Sequence, residues 1–168
     1  MELKKNNFRR EVKKSDPETI RDIVTSTGFF NLEEIEIAAE LADEFLAKGI
    51  ESGYQFIFLD NDKHTMGYSC YGKIPGTKNS FALYWIAVHE KYRNQGLGKI
   101  ILQETEKDIF AQKGVGIYVE TSSRAQYVPT RMFYEKNGYL LKTRFEDYYD
   151  EGDDLVFYLK KCFEFHKN

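Results

Sequence analysis

Cysteine, proline and histidine are scarce in this chain, with 2, 3 and 3 copies among 168 residues. Two cysteines cannot build a disulfide framework, and neither Cys70 nor Cys162 has a second ligand at metal-binding spacing. Both are expected as free thiols in a reducing compartment, and no metal site is expected. No apolar run approaches the roughly 18 residues that a membrane span needs. The opening Met-Glu-Leu-Lys-Lys-Asn-Asn has no apolar signal core, so a cytoplasmic protein without membrane contact is the expectation. Neither sign of charge dominates either. Lys and Arg number 24 against 27 Asp and Glu, for a net charge of -3, and the basic residues are scattered. That distribution argues against a surface that holds nucleic acid by neutralising phosphates.

What the chain does have is apolar and aromatic mass. Apolar residues make up 42% and aromatics 15%, including 12 Tyr and 13 Phe, enough to pack one domain spanning 1–168. Phe8 to Lys14 reads as a first strand, and Ser15 or Asp16 would cap a helix with Pro17 in its first turn and Gly28 at its end. Ile35, Ala38, Ala39, Ala42, Phe45 and Leu46 recur at helical spacing and predict a second helix that stops at Gly49. Tyr54 to Leu59 and Thr65 to Ile74 read as a hairpin, and Phe81 to Val88 as a third strand of that group. A helix from Gly98 to about Gly114, a strand from Val115 to Glu120 and a helix from Pro129 to Asn137 follow. Tyr139 to Phe145 and Leu155 to Leu159 complete the set, with the acidic tract Asp147 to Asp154 as their connection. The order β-α-α-β-β-β-α-β-α-β-β predicts an α/β fold: a central mixed sheet flanked by about four helices.

The most informative stretch runs from Tyr84 to Lys99, where an apolar strand, a polar turn and a glycine pair open a helix. Such a unit points unpaired backbone N–H groups at one spot and favours an anion there. A dinucleotide fingerprint needs a third glycine three residues beyond Gly98, and Ile101 stands there instead. A Walker A loop needs Ser or Thr after Gly98-Lys99 and finds Ile100.

What remains, Arg93-x-x-Gly96-x-Gly98, resembles the pyrophosphate loop of the GNAT superfamily of N-acetyltransferases, Gln/Arg-x-x-Gly-x-Gly/Ala at a helix start. The resemblance implies the GNAT fold over most of the chain and acetyl-CoA as the acetyl donor. Phosphate contacts would come from Arg93, Asn94, Gln95, Gly96, Leu97, Gly98 and Lys99. The resemblance further implies that Ile86, Ala87 and Val88 offer backbone N–H groups to pantetheine and to the thioester carbonyl, where a splay in the sheet frees them.

Acetyl transfer to an amine requires a neutral amine, a place for the developing oxyanion and a proton for the departing thiolate. The segment Met132 to Tyr139 resembles the family's Phe-Tyr-x-x-x-Gly-Phe motif, which makes Tyr134 the implied general acid. A phenol of pKa about 10 can donate to a thiolate whose conjugate acid lies near 8.5, given close placement. Glu120 stands at a strand end comparable to that of the base glutamate in ribosomal-protein N-acetyltransferases, though with a loop of different length. Capping, or pairing with Arg124 or Arg131, remain its other readings. Tyr127 stands where many members carry a CoA-contacting Asn.

Phe29, Phe30, Glu33, Glu34, Tyr68, Tyr71 and Tyr84 are candidates for an acceptor pocket suited to a cationic amine, or equally for core and helix first turn. The expected activity is direct transfer of acetyl to a primary amine, small-molecule, amino-acid or peptide, by a monomer or homodimer. A non-catalytic acyl-CoA sensor and a Cys70 acyl intermediate both stay open at this level.

Overall fold

A computed structural model describes residues 7–162. Its strands are β1 (Asn7–Arg9), β2 (Gln55–Asp60), β3 (Thr65–Lys73), β4 (Ser80–Val88), β5 (Gly116–Ser122), β6 (Leu140–Asp150) and β7 (Asp153–Lys161). They form one sheet in the order β1-β2-β3-β4-β5-β7-β6, antiparallel throughout except between β4 and β5. The helices are α1 (Asp16–Ser26), α2 (Leu32–Lys48), α3 (Leu97–Ala111) and α4 (Val128–Lys136). Among the described residues, no helix is long and apolar enough to cross a membrane.

β2 and β3 are buried on both faces, and strand alternation sorts their side chains between two cores. Phe56 and Phe58 of β2 face α1 and α2, where Ile20, Ile23, Val24, Ala38, Ala39 and Ala42 meet them. Ile57 turns the other way, into a second core with Leu102 and Ile109 of α3 and Ile117 and Val119 of β5. α2 starts on a reciprocal capping box: the Asn31 side chain accepts from the Glu34 N–H, and the Glu34 carboxylate accepts from the Asn31 N–H. The alanines on its buried face let it approach the sheet closely.

Three expectations need correction. β1 is short, ending at Arg9, because Arg9 is clamped by Asp60 at 2.8 Å and Asp16 at 2.7 Å and lies 4.2 Å over the Phe58 ring. The chain turns there, and the Lys13 N–H bonds to Asp16 at 2.6 Å. Asp16 is therefore a buried clamp, and the Ser15 side chain makes no capping bond. β5 runs on to Ser122, so Glu120 lies within the strand, opposite Phe157 of β7. Finally, the acidic tract is no loose connection. β6 continues to Asp150 and returns into β7 through Glu151 and Gly152, with an irregularity between Phe145 and Asp150 and a positive φ at Asp147.

Gly67 of β3 marks where α3 presses on the sheet beside β4. A β-carbon there would sit 2.8 Å from the Ala87 carbonyl oxygen and 2.9 Å from Ile101 Cδ1. Gly67→Ala is expected to cost about 2 kcal/mol through overpacking. The corresponding fall in melting temperature is about 6 °C, read by thermal denaturation; an unchanged melting temperature would show that this contact yields freely.

Candidate active site

β4 and β5 pair only at Ser80–Ala82 with Gly116–Tyr118. Beyond that the two strands separate, each held only by its outer neighbour. A bulge promotes the separation: Leu83 lies opposite Tyr71 and Trp85 opposite Cys70, which leaves Tyr84 as an extra residue on β4. The His89 N–H bonds to the Met66 carbonyl at 2.9 Å. Antiparallel ladders alternate, so Ala87 directs its N–H to β3, while Ile86 and Val88 turn theirs into the opening between β4 and β5.

Past Val88 the chain makes a short turn and enters α3 through Asn94 (φ 61°) and Gly96 (φ 74°), both left-handed. The turn is tied to α1 by the Glu90 N–H, which donates to Ser26 Oγ at 3.1 Å, and by His89, 3.3 Å from Asp22. A groove of about 390 Å³ opens at the helix start. Val88, Arg93, Asn94, Gly96, Leu97, Gly98 and Lys99 line it, whereas Ile86, Ala87 and Gln95 do not.

The opposite wall comes from α4 and includes Phe133, Lys136 and Asn137, which the motif reading missed. Their spacing places them on one helix face, and that was the available signal. Phe133 packs on Gly98, where a β-carbon would meet its ring at an ordinary 3.5 Å. The groove thus combines the free N–H groups of a helix start with the cations Arg93, Lys99 and Lys136. Arg93 is 2.8 Å from Glu90 and stands over the Phe29 ring at 5.6 Å. Such a site suits a diphosphate.

Tyr134 lies on the inner side of α4, its ring among Phe133, Tyr139 and Tyr158 and only 5% exposed. Burial pushes its phenol above the ordinary tyrosine value, so it holds its proton through neutral and mildly alkaline pH. Its hydroxyl makes no hydrogen bond among the described residues. Even so, the sealed and unpartnered side-chain polar atom among the described residues is the Tyr68 hydroxyl, not that of Tyr134.

Glu120 projects from the opposite face of β5 to Val119, exposed, with no ion pair or hydrogen bond to its side chain among the described residues. Arg124 pairs instead with Asp153 at 3.0 Å, and Arg131 donates to the carbonyl oxygens of Ser122 and Arg124. Aromatic rings surround this face. Phe30 meets Trp85 at 5.1 Å and Tyr127 at 6.3 Å, and Tyr84 meets Tyr54 at 5.4 Å.

The β6–β7 hairpin adds Tyr149, which sequence reasoning passed over. The Ser122 hydroxyl donates to Asp153, Arg144 pairs with Asp154, the Asp154 N–H donates to Ser123 Oγ at 2.8 Å, and the Gly152 N–H donates to Asp147 at 2.7 Å. These bonds fix Tyr149 on the Glu120 side, where burial and then the Glu120 charge push its phenol up to about 12. Not every expected pocket residue is here. Tyr71 lies on the α3 face, bonded to Asp108 at 3.0 Å, Tyr68 is sealed in the core, and the Glu34 carboxylate is used in its capping box. Among the described residues, no group of three His, Cys, Asp or Glu is placed to hold a metal ion.

Comparison with known proteins agrees with this geometry. Residues 52–140 match the family model for the acetyltransferase (GNAT) domain. A protein from Desulfovibrio desulfuricans assigned to the GNAT family of acetyltransferases is 39% identical, with 94% of this chain and 99% of that one aligned and a TM-score of 0.92. The fold is shared with the ribosomal-protein-S18-alanine N-acetyltransferase of Escherichia coli at 18% identity, 94% coverage of each chain and a TM-score of 0.73. An aminoglycoside 6'-N-acetyltransferase solved with coenzyme A is similar at 15% identity, 93% and 97% coverage and a TM-score of 0.72. No curated protein matches the sequence. The chain belongs to the GNAT family of acetyltransferases, and its fold is the GNAT fold.

The two loop glycines are expected to respond differently. Gly96→Ala forces a side chain into the left-handed region, costing about 1 kcal/mol or more, and is expected to weaken coenzyme A binding about tenfold. Gly98→Ala meets only an ordinary contact and is expected to bind within about twofold of the parent. Calorimetric titration of both variants with coenzyme A checks the contrast.

Proposed function

We propose that this acetyltransferase moves the acetyl group of acetyl-CoA directly to a primary amine in a ternary complex. The observation that carries this reading is the juxtaposition at the β4–β5 opening. Free N–H groups of Ile86 and Val88 and the diphosphate groove lie on the α3 side, with an unpaired Glu120 among aromatic rings on the other. Acetyl-CoA supplies an acyl group activated as a thioester. The backbone N–H groups of Ile86 and Val88 hold the carbonyl end of the pantetheine arm and stabilise negative charge on oxygen. Arg93, Lys99 and the α3 start hold the phosphates.

Glu120 attracts the protonated amine and takes its proton, and the Tyr134 phenol gives a proton to the sulfur that leaves. Burial keeps the Tyr134 phenol protonated but also makes it a weaker acid, so close placement on the leaving sulfur has to drive the transfer. The acceptor face favours an amine without a neighbouring carboxylate, because both arginines near Glu120 are already engaged. Small-molecule and peptide amines both fit that description.

Tyr134→Phe is expected to lower kcat about 100-fold while leaving coenzyme A affinity within about twofold. An unchanged kcat removes Tyr134 from the reaction. Glu120→Gln is expected to lower kcat/KM about 100-fold, and a variant as fast as the parent assigns the amine's proton elsewhere.

A further inference from the structure

The Tyr134 phenol has no hydrogen bond among the described residues to aim it, so its direction is set by the rings that pack on it. Two of those rings are held by hydroxyls of their own. Tyr139 stands edge-on to Tyr134, with centroids 5.5 Å apart and planes at 62°, and its hydroxyl donates to Glu106 Oε1 at 3.1 Å. Tyr158, 6.1 Å away, donates to Glu135 at 2.9 Å. Glu106 receives a second bond on the same oxygen, from Lys160 Nζ at 2.9 Å, and that ammonium lies 5.5 Å from the centre of the Tyr139 ring. Tyr139 is 1% exposed and Glu106 8%, so the bond between them lies in the interior.

We infer that Tyr139 is a positioning residue for acetyl transfer: fastened by Glu106 and Lys160, its ring holds the Tyr134 phenol in place for the proton transfer. The inference rests on the role given to Tyr134 above. Stability alone does not call for a buried ion pair here, because apolar residues of similar volume serve as well. What the pair adds is direction. Its carboxylate is carried by α3 and its ammonium by β7, so the Tyr139 ring is tied to two elements to which it does not belong. The Tyr139 N–H also bonds to the Tyr134 carbonyl oxygen at 3.0 Å, which joins the two tyrosines through the backbone as well as through their rings. A donor that works by close placement loses rate steeply when it is displaced, up to about 100-fold for roughly 1 Å.

Tyr139→Phe removes the hydroxyl and keeps the ring, and Glu106 retains Lys160, so the variant is expected to fold as the parent does. With acetyl-CoA as donor and phenethylamine as the acceptor probe, it is expected to lower kcat about tenfold while the KM for acetyl-CoA stays within about twofold. In a Tyr134→Phe background the same change is expected to leave kcat where it stands, since no phenol is left to aim. Carbon NMR of coenzyme A-bound protein labelled at tyrosine Cζ gives a second readout. The Tyr134 signal, identified by its loss in Tyr134→Phe, is expected to be single and sharp in the parent and broadened in Tyr139→Phe. A loss of kcat equal in both backgrounds overturns the inference, as does a Tyr139→Phe with parental kcat or an unaltered Tyr134 signal. A Tyr134→Phe that turns over as the parent does removes the general acid itself, and this inference with it.

Discussion

β4 and β5 exchange backbone hydrogen bonds at only three residue pairs before they part, and the unsatisfied groups along the separated edges govern the rest of the molecule. Buried backbone N–H groups are ordinarily paired. Leaving Ile86 and Val88 without strand partners is therefore tolerable only where solvent or a ligand reaches them. The bulge at Tyr84 sustains the separation on one side, and β7 holds β5 away on the other along seven residue pairs. α3 then begins immediately beyond β4, so its uncompensated N-terminal dipole falls at the mouth of the same opening.

The supporting structure keeps that geometry rigid. α3 sits close on β3 because Gly67 leaves no side chain between them, and α1 grips the turn before Gly96 through Ser26 and Asp22. On the far side, Lys160 of β7 meets the buried Glu106 of α3 at 2.9 Å, and Tyr139 bonds to the same carboxylate at 3.1 Å. A lone buried charge there would be costly, so α3, β7 and the end of α4 are fastened as a unit. Near Glu120, Arg124 is engaged by Asp153 and Arg131 by backbone carbonyls, which leaves the Glu120 charge available.

Much of this was legible in the residues. The strand, polar turn and glycine pair from Tyr84 to Lys99 read as a strand running into a helix start, which is what β4 and α3 form, and the failed glycine and hydroxyl positions excluded two common alternatives. Helix faces followed from apolar spacing, and α2 from its alanine stripe. Other features were hidden. The run Asp147 to Asp154 reads as a solvated loop because its partners, Ser122, Ser123 and Arg144, are distant or out of register until β6 and β7 fold back on β5. Tyr149 was lost with it. Tyr68 and Tyr71 were grouped together although three residues apart in a strand, a separation that puts them on opposite faces. Phe133, Lys136 and Asn137 share a helix face by their spacing, but only the packing of that helix brings the face to the loop.

Amide hydrogen exchange along β4, with and without acetyl-CoA, tests the central claim most directly. In the free protein Ala87, bonded to β3, should exchange slowly, while Ile86 and Val88 exchange fast; acetyl-CoA should slow Ile86 and Val88 and leave Ala87 unchanged. Bound acetyl-CoA that leaves the Ile86 and Val88 amides exchanging as before would contradict the account.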